Sequence, residues 1–337
     1  MHIPPSDRSF YTRRHALAAI GAGLFAAAVD PLAAATSGTP VARAGQIASP
    51  PPAVRRIRHA LGETDVPASP ARVVTLFQGA TDTAVSLGVH PVGVVESWTQ
   101  KPIYPYLRTA LGDVAQVGLE TQPSLEDMVF LAPDLIVASR FRNERIYNLL
   151  SRIAPTIALD DVYSFPSTLA LMGAALDRQA HAQTLWAEWS ARAARLQRAL
   201  ATTYGSEWPL TVSVLDFRED HVRAYLPNSF SGRVLNRLGF ARTPYQADPS
   251  RTLEKITSRE AIPFLDAKII FILMRSDRPS VRENVMRWRG HPLWARLDAA
   301  RHDRVYEVDN VAWSLSGGII GAGLMLDEIT QTLGLDS

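Results

Sequence analysis

Short apolar, β-branched runs alternate with helical stretches along most of this chain, and the alternation breaks only once. Residues 72–76, 90–95 and 133–138 read as buried strands, with helices over 79–87, from Ser124, and over 143–153. Pro155-Thr156-Ile157-Ala158 closes this first unit. After Pro209 the rhythm resumes: a strand over 210–215 with a hairpin partner at 222–225, then helices over 232–238 and 258–265. Strands over 268–273 and 304–308 and a last helix over 318–333 complete it. Such alternation predicts parallel, doubly wound sheets. Between the units, Leu169, Met172, Leu176, Ala180, Leu185, Trp189 and Leu196 recur near helical spacing, with a dip at Asp177-Arg178 that marks a bend. The expected fold class is therefore α/β, two doubly wound α/β lobes joined by one long helix. No short internal repeat is apparent. The domain map places an export signal at 1–35, a flexible leader at 36–57, an N-terminal lobe at 58–165, a linking helix at 166–203 and a C-terminal lobe at 204–337. One helical strut permits only small hinge motions, which implies a largely preformed cleft for a bulky, rigid ligand.

The N-terminus sets the expected compartment. Arg13 and Arg14 precede an apolar run from Ala16 to Val29, followed by Pro31 and Ala33-Ala34-Ala35. That run is too short to span a bilayer and reads as a removable export signal. The paired arginines point to the twin-arginine route. There is no cysteine, which excludes disulfides, thiolate metal sites, a cysteine nucleophile and an anchor on an N-terminal cysteine. An exported, unanchored protein of the periplasm is expected.

Charge excludes further classes. The formal net charge of +2 falls to +1 once Arg8, Arg13, Arg14, Asp7 and Asp30 leave with the signal. The arginines are dispersed, so no nucleic-acid footprint appears. No G-x-S-x-G elbow, H-E-x-x-H, Walker loop or dinucleotide fingerprint follows a strand, so an enzyme is not expected. The histidines at 59, 90, 181, 221, 291 and 302 do not pair across the units, so no directly bound metal and no resident cofactor are expected. Gly317-Gly318-Ile319-Ile320-Gly321, opening the last helix, reads as close helix packing.

A series of segments in order carries a family likeness: Pro70-Ala71-Arg72-Val73-Val74, Leu87-Gly88-Val89-His90-Pro91-Val92-Gly93-Val94, and Val117-Gly118-Leu119-Glu120-Thr121-Gln122-Pro123-Ser124-Leu125-Glu126. Leu131-Ala132-Pro133-Asp134-Leu135-Ile136-Val137-Ala138, Pro292-Leu293-Trp294 and Arg304-Val305-Tyr306-Glu307-Val308-Asp309, running on to Trp313, extend it. From about Arg58 to Leu333 the chain resembles the substrate-binding proteins for ferric siderophores, ferric citrate, haem and vitamin B12, and looks nearest to ferric-citrate binders. The resemblance implies a monomer that captures a ferric chelate between its lobes and delivers it to an ABC importer. Haem or vitamin B12 is the alternative ligand, with Tyr225 or His221 as the place for a haem axial ligand. It also implies that Glu126 and Glu260, one per lobe, dock with arginines of the permease dimer, because one carboxylate per lobe can register both lobes on a two-fold partner.

Ferric chelates present carboxylate, catecholate or hydroxamate oxygens, which suit guanidinium forks. In open α/β folds ligands sit at the carboxyl ends of strands. Arg140 and Arg142, Arg218, and Arg275 with Arg278 each follow a predicted strand, and the likeness to ferric-citrate binders includes Arg140, Arg218 and Arg275. Gln78 follows the first strand and Trp98 the second. Tyr225 and Trp313 are the aromatic candidates, Trp313 standing where the resemblance implies a cleft tryptophan. Two departures reduce the expected positive charge. Glu120 stands where many relatives carry arginine, and Ser314-Leu315-Ser316-Gly317 stands where ferric-citrate binders have further arginines. Hydroxamate or mixed-ligand siderophores are therefore expected beside citrate, and Glu120 either receives a cationic group of the ligand or pairs with a cleft arginine.

Overall fold

The structure, a computed structural model, describes residues 53–335. The export signal and all but the end of the leader lie outside the described residues. A hairpin of β1 (Val54–His59) and β2 (Gly62–Pro67) opens it. Residues 54–57, assigned above to a leader, are thus strand. The hairpin was hidden by its charge: Arg56 sits opposite Asp65 and Arg58 opposite Glu63, while only Ile57 and Val66 turn inward. Opposed charges directly across a strand pair stabilise the register.

The first lobe carries a six-stranded sheet. Its spatial order is β6 (Gln122–Pro123), β5 (Ala115–Leu119), β4 (Gly93–Glu96), β3 (Val73–Thr75), β7 (Leu135–Ser139) and β8 (Thr156–Leu159). All pairs are parallel except β5–β6. Helices α1 (Gln78–Ser86), α2 (Pro105–Leu111), α3 (Leu125–Leu131), α4 (Arg140–Asn143) and α5 (Tyr147–Ile153) connect these strands. Every residue of β3, β7 and β8 is buried, as expected for parallel strands covered on both faces.

The stretch read as one linking helix is two, α6 (Phe165–Ala175) and α7 (Gln179–Tyr204). They break at Leu176–Arg178, where Asp177 takes a positive φ of 59°. Arg55 pairs with the Asp177 carboxylate and donates to the Ala175 carbonyl at 3.1 Å, satisfying an exposed helix end. On α7 the buried residues Ala182, Trp189, Ala193, Leu196 and Leu200 lie on one stripe.

The second lobe has five strands. Their spatial order is β11 (Leu253–Ile256), β10 (Val222–Tyr225), β9 (Val212–Phe217), β12 (Ile269–Met274) and β13 (Val305–Glu307). β10 is the expected antiparallel hairpin partner of β9, whereas β9, β12 and β13 run parallel. Helices α8 (Phe230–Arg237), α9 (Pro279–Arg289), α10 (Asp298–Arg301) and α11 (Ile319–Thr332) belong to this half of the chain. Residues Arg259–Leu265, expected as a helix over 258–265, form a 3₁₀ helix with Pro263 inside it.

α11 returns to the first lobe. One core contains Phe77, Ala80 and Ala84 from the start of the chain, Leu169 and Met172 of α6, Ala193 and Leu196 of α7, and Ala322, Met325 and Ile329 of α11. At its polar end the buried Asp82 of α1 accepts the backbone N–H groups of Ile320 at 2.9 Å and Gly321 at 3.0 Å, and the Tyr106 hydroxyl at 2.9 Å. The contact requires glycine: a Cβ at position 318 would lie 2.1 Å from Asp82 Oδ1, and one at Gly79 would lie 2.4 Å from the Gly317 carbonyl oxygen. So the glycine run serves helix packing, as its sequence suggested. Its N–H groups serve Asp82, a residue of the other lobe.

Candidate functional site

The carboxyl ends of both parallel sheets meet at a cavity of about 290 Å³. In the first lobe β3 delivers Phe77 and Gln78, β4 delivers Trp98, β5 delivers Glu120, and the turn after β7 delivers Arg142. In the second, Arg218 follows β9, Arg223 and Tyr225 lie on β10, and Arg275 follows β12. The placement follows from open parallel sheets, whose ligand crevices lie at strand carboxyl ends.

Two of the four cavity arginines are already paired. Arg142 Nε donates to Glu120 Oε1 at 3.0 Å. The other oxygen of Glu120 accepts Trp98 Nε1 at 3.3 Å and the Gln78 backbone N–H at 3.4 Å. Burial pushes the Glu120 carboxyl above its usual range, and Arg142 opposes that shift. Arg218 donates from Nε at 3.1 Å and Nη2 at 2.9 Å to one oxygen of the fully buried Asp216. That same oxygen accepts the Tyr225 hydroxyl at 3.0 Å, and Ser314 Oγ donates to Tyr225 at 2.8 Å. Burial first, and the neighbouring Asp216 second, push the Tyr225 phenol up to about 12.

The other two lack a carboxylate partner among the described residues. Arg223 donates from Nε to His221 Nε2 at 3.3 Å, while His221 Nδ1 lies 2.6 Å from Asp220. Arg275 makes no side-chain hydrogen bond among the described residues, and its guanidinium lies 5.7 Å from the Trp98 ring centre. Arg142 approaches the same ring at 5.6 Å. Trp98 thus lies beside one arginine from each lobe, a cation–π arrangement. Burial and the nearby Arg218 both lower the Arg275 pKa. Four guanidiniums less the two carboxylates of Glu120 and Asp216 leave a net positive charge of two at the cavity.

Several expected site residues stand elsewhere. Arg140 is not in the cavity: it pairs with Asp160 and lines a separate shallow depression with Arg58 and His59. The segment after β7 is a helical turn, Ser139 Oγ accepting the Arg142 N–H at 3.3 Å. Two residues along a helix point about 200° apart, so only Arg142 faces inward. Arg278 also lies outside, paired with Glu219 at 2.7 Å. Trp313 borders the cavity but is wholly buried, its Nε1 donating to Glu328 at 2.8 Å and its ring 4.4 Å from Phe271. Its indole is held by Glu328 and Phe271, while the Trp98 ring lies beside two of the cavity arginines. Gln78 borders the cavity with its amide donating to the Glu96 carbonyl at 2.9 Å. Glu120 pairs with an arginine, one of the two roles its position allowed.

Arg223 and Tyr163 line the cavity without having been singled out. Strand period two would have placed Arg223 on the same face as Tyr225, and Tyr163 follows β8 as the arginines follow their strands. The haem alternative finds no free axial ligand at its expected places. Both His221 nitrogens are engaged, and the Tyr225 hydroxyl is held by Asp216 and Ser314. Glu126 and Glu260 are exposed in the first turns of α3 and the 259–265 helix, behind Ser124 and Ser258 caps.

Known proteins resemble this chain over most of its length. The achromobactin-binding periplasmic protein of Dickeya dadantii (strain 3937) is 54% identical over 267 residues, covering 79% of this chain and 87% of that protein. The probable siderophore-binding lipoprotein YfiY of Bacillus subtilis (strain 168) is 34% identical over 284 residues, covering 82% and 86%. Among solved structures, Staphylococcus aureus SirA complexed with staphyloferrin B superposes with a TM-score of 0.81 at 40% identity, covering 84% of this chain and 99% of that one. The Periplasmic binding protein family matches residues 73–312, and this chain belongs to it, a substrate-binding protein and not an enzyme.

Proposed function

We propose that the cleft captures an anionic ferric siderophore rich in carboxylate oxygens and that the protein hands it to an ABC importer. One observation carries the ligand class: Arg223 and Arg275 line the cavity without carboxylate partners among the described residues, Arg275 beside the Trp98 ring. Each guanidinium can take two oxygens of a carboxylate, and the surplus of two positive charges suits a dianionic complex better than a neutral one. A relative named for achromobactin binding and another named as a probable siderophore-binding lipoprotein support a siderophore over citrate alone. The chelate is the bound cargo, and no resident cofactor is invoked. Arg142, Arg218, Arg223, Arg275, Trp98 and Tyr225 form the proposed binding surface, with Glu120 and Gln78 holding its first-lobe side in place.

The delivery reading assigns Glu126 and Glu260 to basic groups on a permease dimer. The protein is proposed to act as a monomer in the periplasm after export. No helix of the described residues is long and apolar enough to cross a membrane.

Tryptophan-fluorescence titration of the mature protein tests the ligand class. The panel holds ferric citrate, ferric hydroxamates, ferric catecholates and ferric carboxylate siderophores, with haem, cobalamin, Zn and Mn as comparators. Saturable quenching by the anionic carboxylate chelates at the lowest concentration is expected. A response to haem or cobalamin alone would replace the ligand class, and silence across the panel would remove the proposal.

A further inference from the structure

The two lobes carry the same surface device at topologically matching places. In the first sheet the edge strand β6, antiparallel to its neighbour, leads through α3 to β7, which lies second from the opposite edge between parallel strands. In the second sheet the edge strand β11, antiparallel to its neighbour, leads through the 259–265 helix to β12, again second from the opposite edge between parallel strands. Each connecting helix reads Ser-x-Glu-x-x-x-Phe: Ser124, Glu126 and Phe130 in one lobe, Ser258, Glu260 and Phe264 in the other. Both serines cap, Ser124 Oγ accepting the Asp127 N–H and Ser258 Oγ the Glu260 N–H, each at 3.2 Å.

The phenylalanines do not pack inward. Phe130 is 89% exposed, with Val129 beside it 60% exposed. Phe264 is 53% exposed and stacks on the half-exposed Tyr245 at 4.8 Å. Phe130 gains little from folding and Phe264 only part of what full burial would give; two at equivalent positions, each four residues after an exposed acid, form a pattern that scattered surface apolar residues do not.

We infer that Phe130 and Phe264 are paired apolar anchors for a membrane permease with two-fold symmetry, each inserted beside the carboxylate of its own lobe. The inference deepens the delivery reading and rests on it. A duplicated acid-plus-aromatic device on two lobes fits a partner that presents the same basic group and apolar recess twice. The carboxylates would steer and register the encounter, while the buried aromatics would set the lifetime of the complex.

The test measures association of the chelate-loaded protein with the purified permease–ATPase complex that imports the chelate, held in lipid nanodiscs. F130S, F264S, the double variant, E126A/E260A and V54S are compared. Val54 is exposed on the β1–β2 hairpin, which packs beside β8 at the sheet edge opposite β6. Each single Phe variant is expected to weaken association about tenfold, mainly through faster dissociation, and the double variant about a hundredfold. V54S should match the wild type, and chelate quenching should be unchanged throughout. Wild-type association by F130S/F264S alongside loss in E126A/E260A overturns the anchors and leaves the delivery reading standing. Loss of chelate quenching in the Phe variants also overturns them, because the residues would then be structural. Failure of the wild type itself to associate takes down the delivery reading and the anchors together.

Discussion

Arg142 and Glu120 meet inside the cleft, Nε to Oε1 at 3.0 Å, with the acid only 4% exposed. One cavity arginine is therefore neutralised before any ligand arrives, and Glu120 limits how much negative charge the cleft rewards. Glu120→Gln removes that limit while keeping an acceptor for Trp98. Binding of the most anionic chelates should tighten about tenfold, with little change for neutral ones. Fluorescence titration against chelates of graded charge reads the result, and a uniform change across the series would count against this role.

Arg218 and Arg275 should separate stability from binding. Arg218 is the guanidinium partner of the fully buried Asp216, so Arg218→Ala strands a buried charge and should lower stability by about 3 kcal/mol. Arg275 has no carboxylate partner among the described residues, so Arg275→Ala should leave the melting temperature nearly unchanged and weaken chelate binding at least tenfold. Thermal melts and titrations of both variants, done side by side, decide it.

The tryptophans make a similar contrast. Trp98 faces the cavity, and Trp98→Phe should abolish most ligand-induced quenching. Trp313→Phe should keep the quenching, yet cost about 2 kcal/mol by leaving the Glu328 acceptor without its indole partner. Quenching that follows Trp313 instead would place the ligand deeper than the cavity described above.

Asp82 should make stability depend on pH. Burial raises its pKa from the ordinary 3.8 to about 6, with the Ile320, Gly321 and Tyr106 hydrogen bonds opposing the shift. The folded state thus holds this proton more tightly than the unfolded chain. Its stabilising contribution is fully present below about pH 4 and is lost as the pH rises through about 6, a swing of about 3 kcal/mol. Asp82→Asn should remove that component, flattening the change in melting temperature between pH 4 and 6.5 relative to wild type. Parallel slopes in the two proteins would show that Asp82 does not titrate in this range.

Much of this protein was legible along the chain because its signals are local. Buried parallel strands such as Ile269–Met274 are continuous apolar runs, and the strand over 210–215 is followed after a polar turn by its hairpin partner at 222–225. Arginines after strands mark a ligand crevice because parallel sheets direct their carboxyl ends to one edge. Tertiary structure decided what those side chains do. Arg140 and Arg142 are two residues apart and differ only by the helical turn that sends one to Asp160 and the other to Glu120. Trp313 and Trp98 are chemically alike and both border the cavity, but packing on Phe271 and the bond to Glu328 bury the first. The meeting of Asp82 with the start of α11 spans 238 positions, and no local pattern encodes so distant a contact. Composition and period act over a few residues, whereas charge pairing and burial depend on which distant segments the fold brings within a few ångströms.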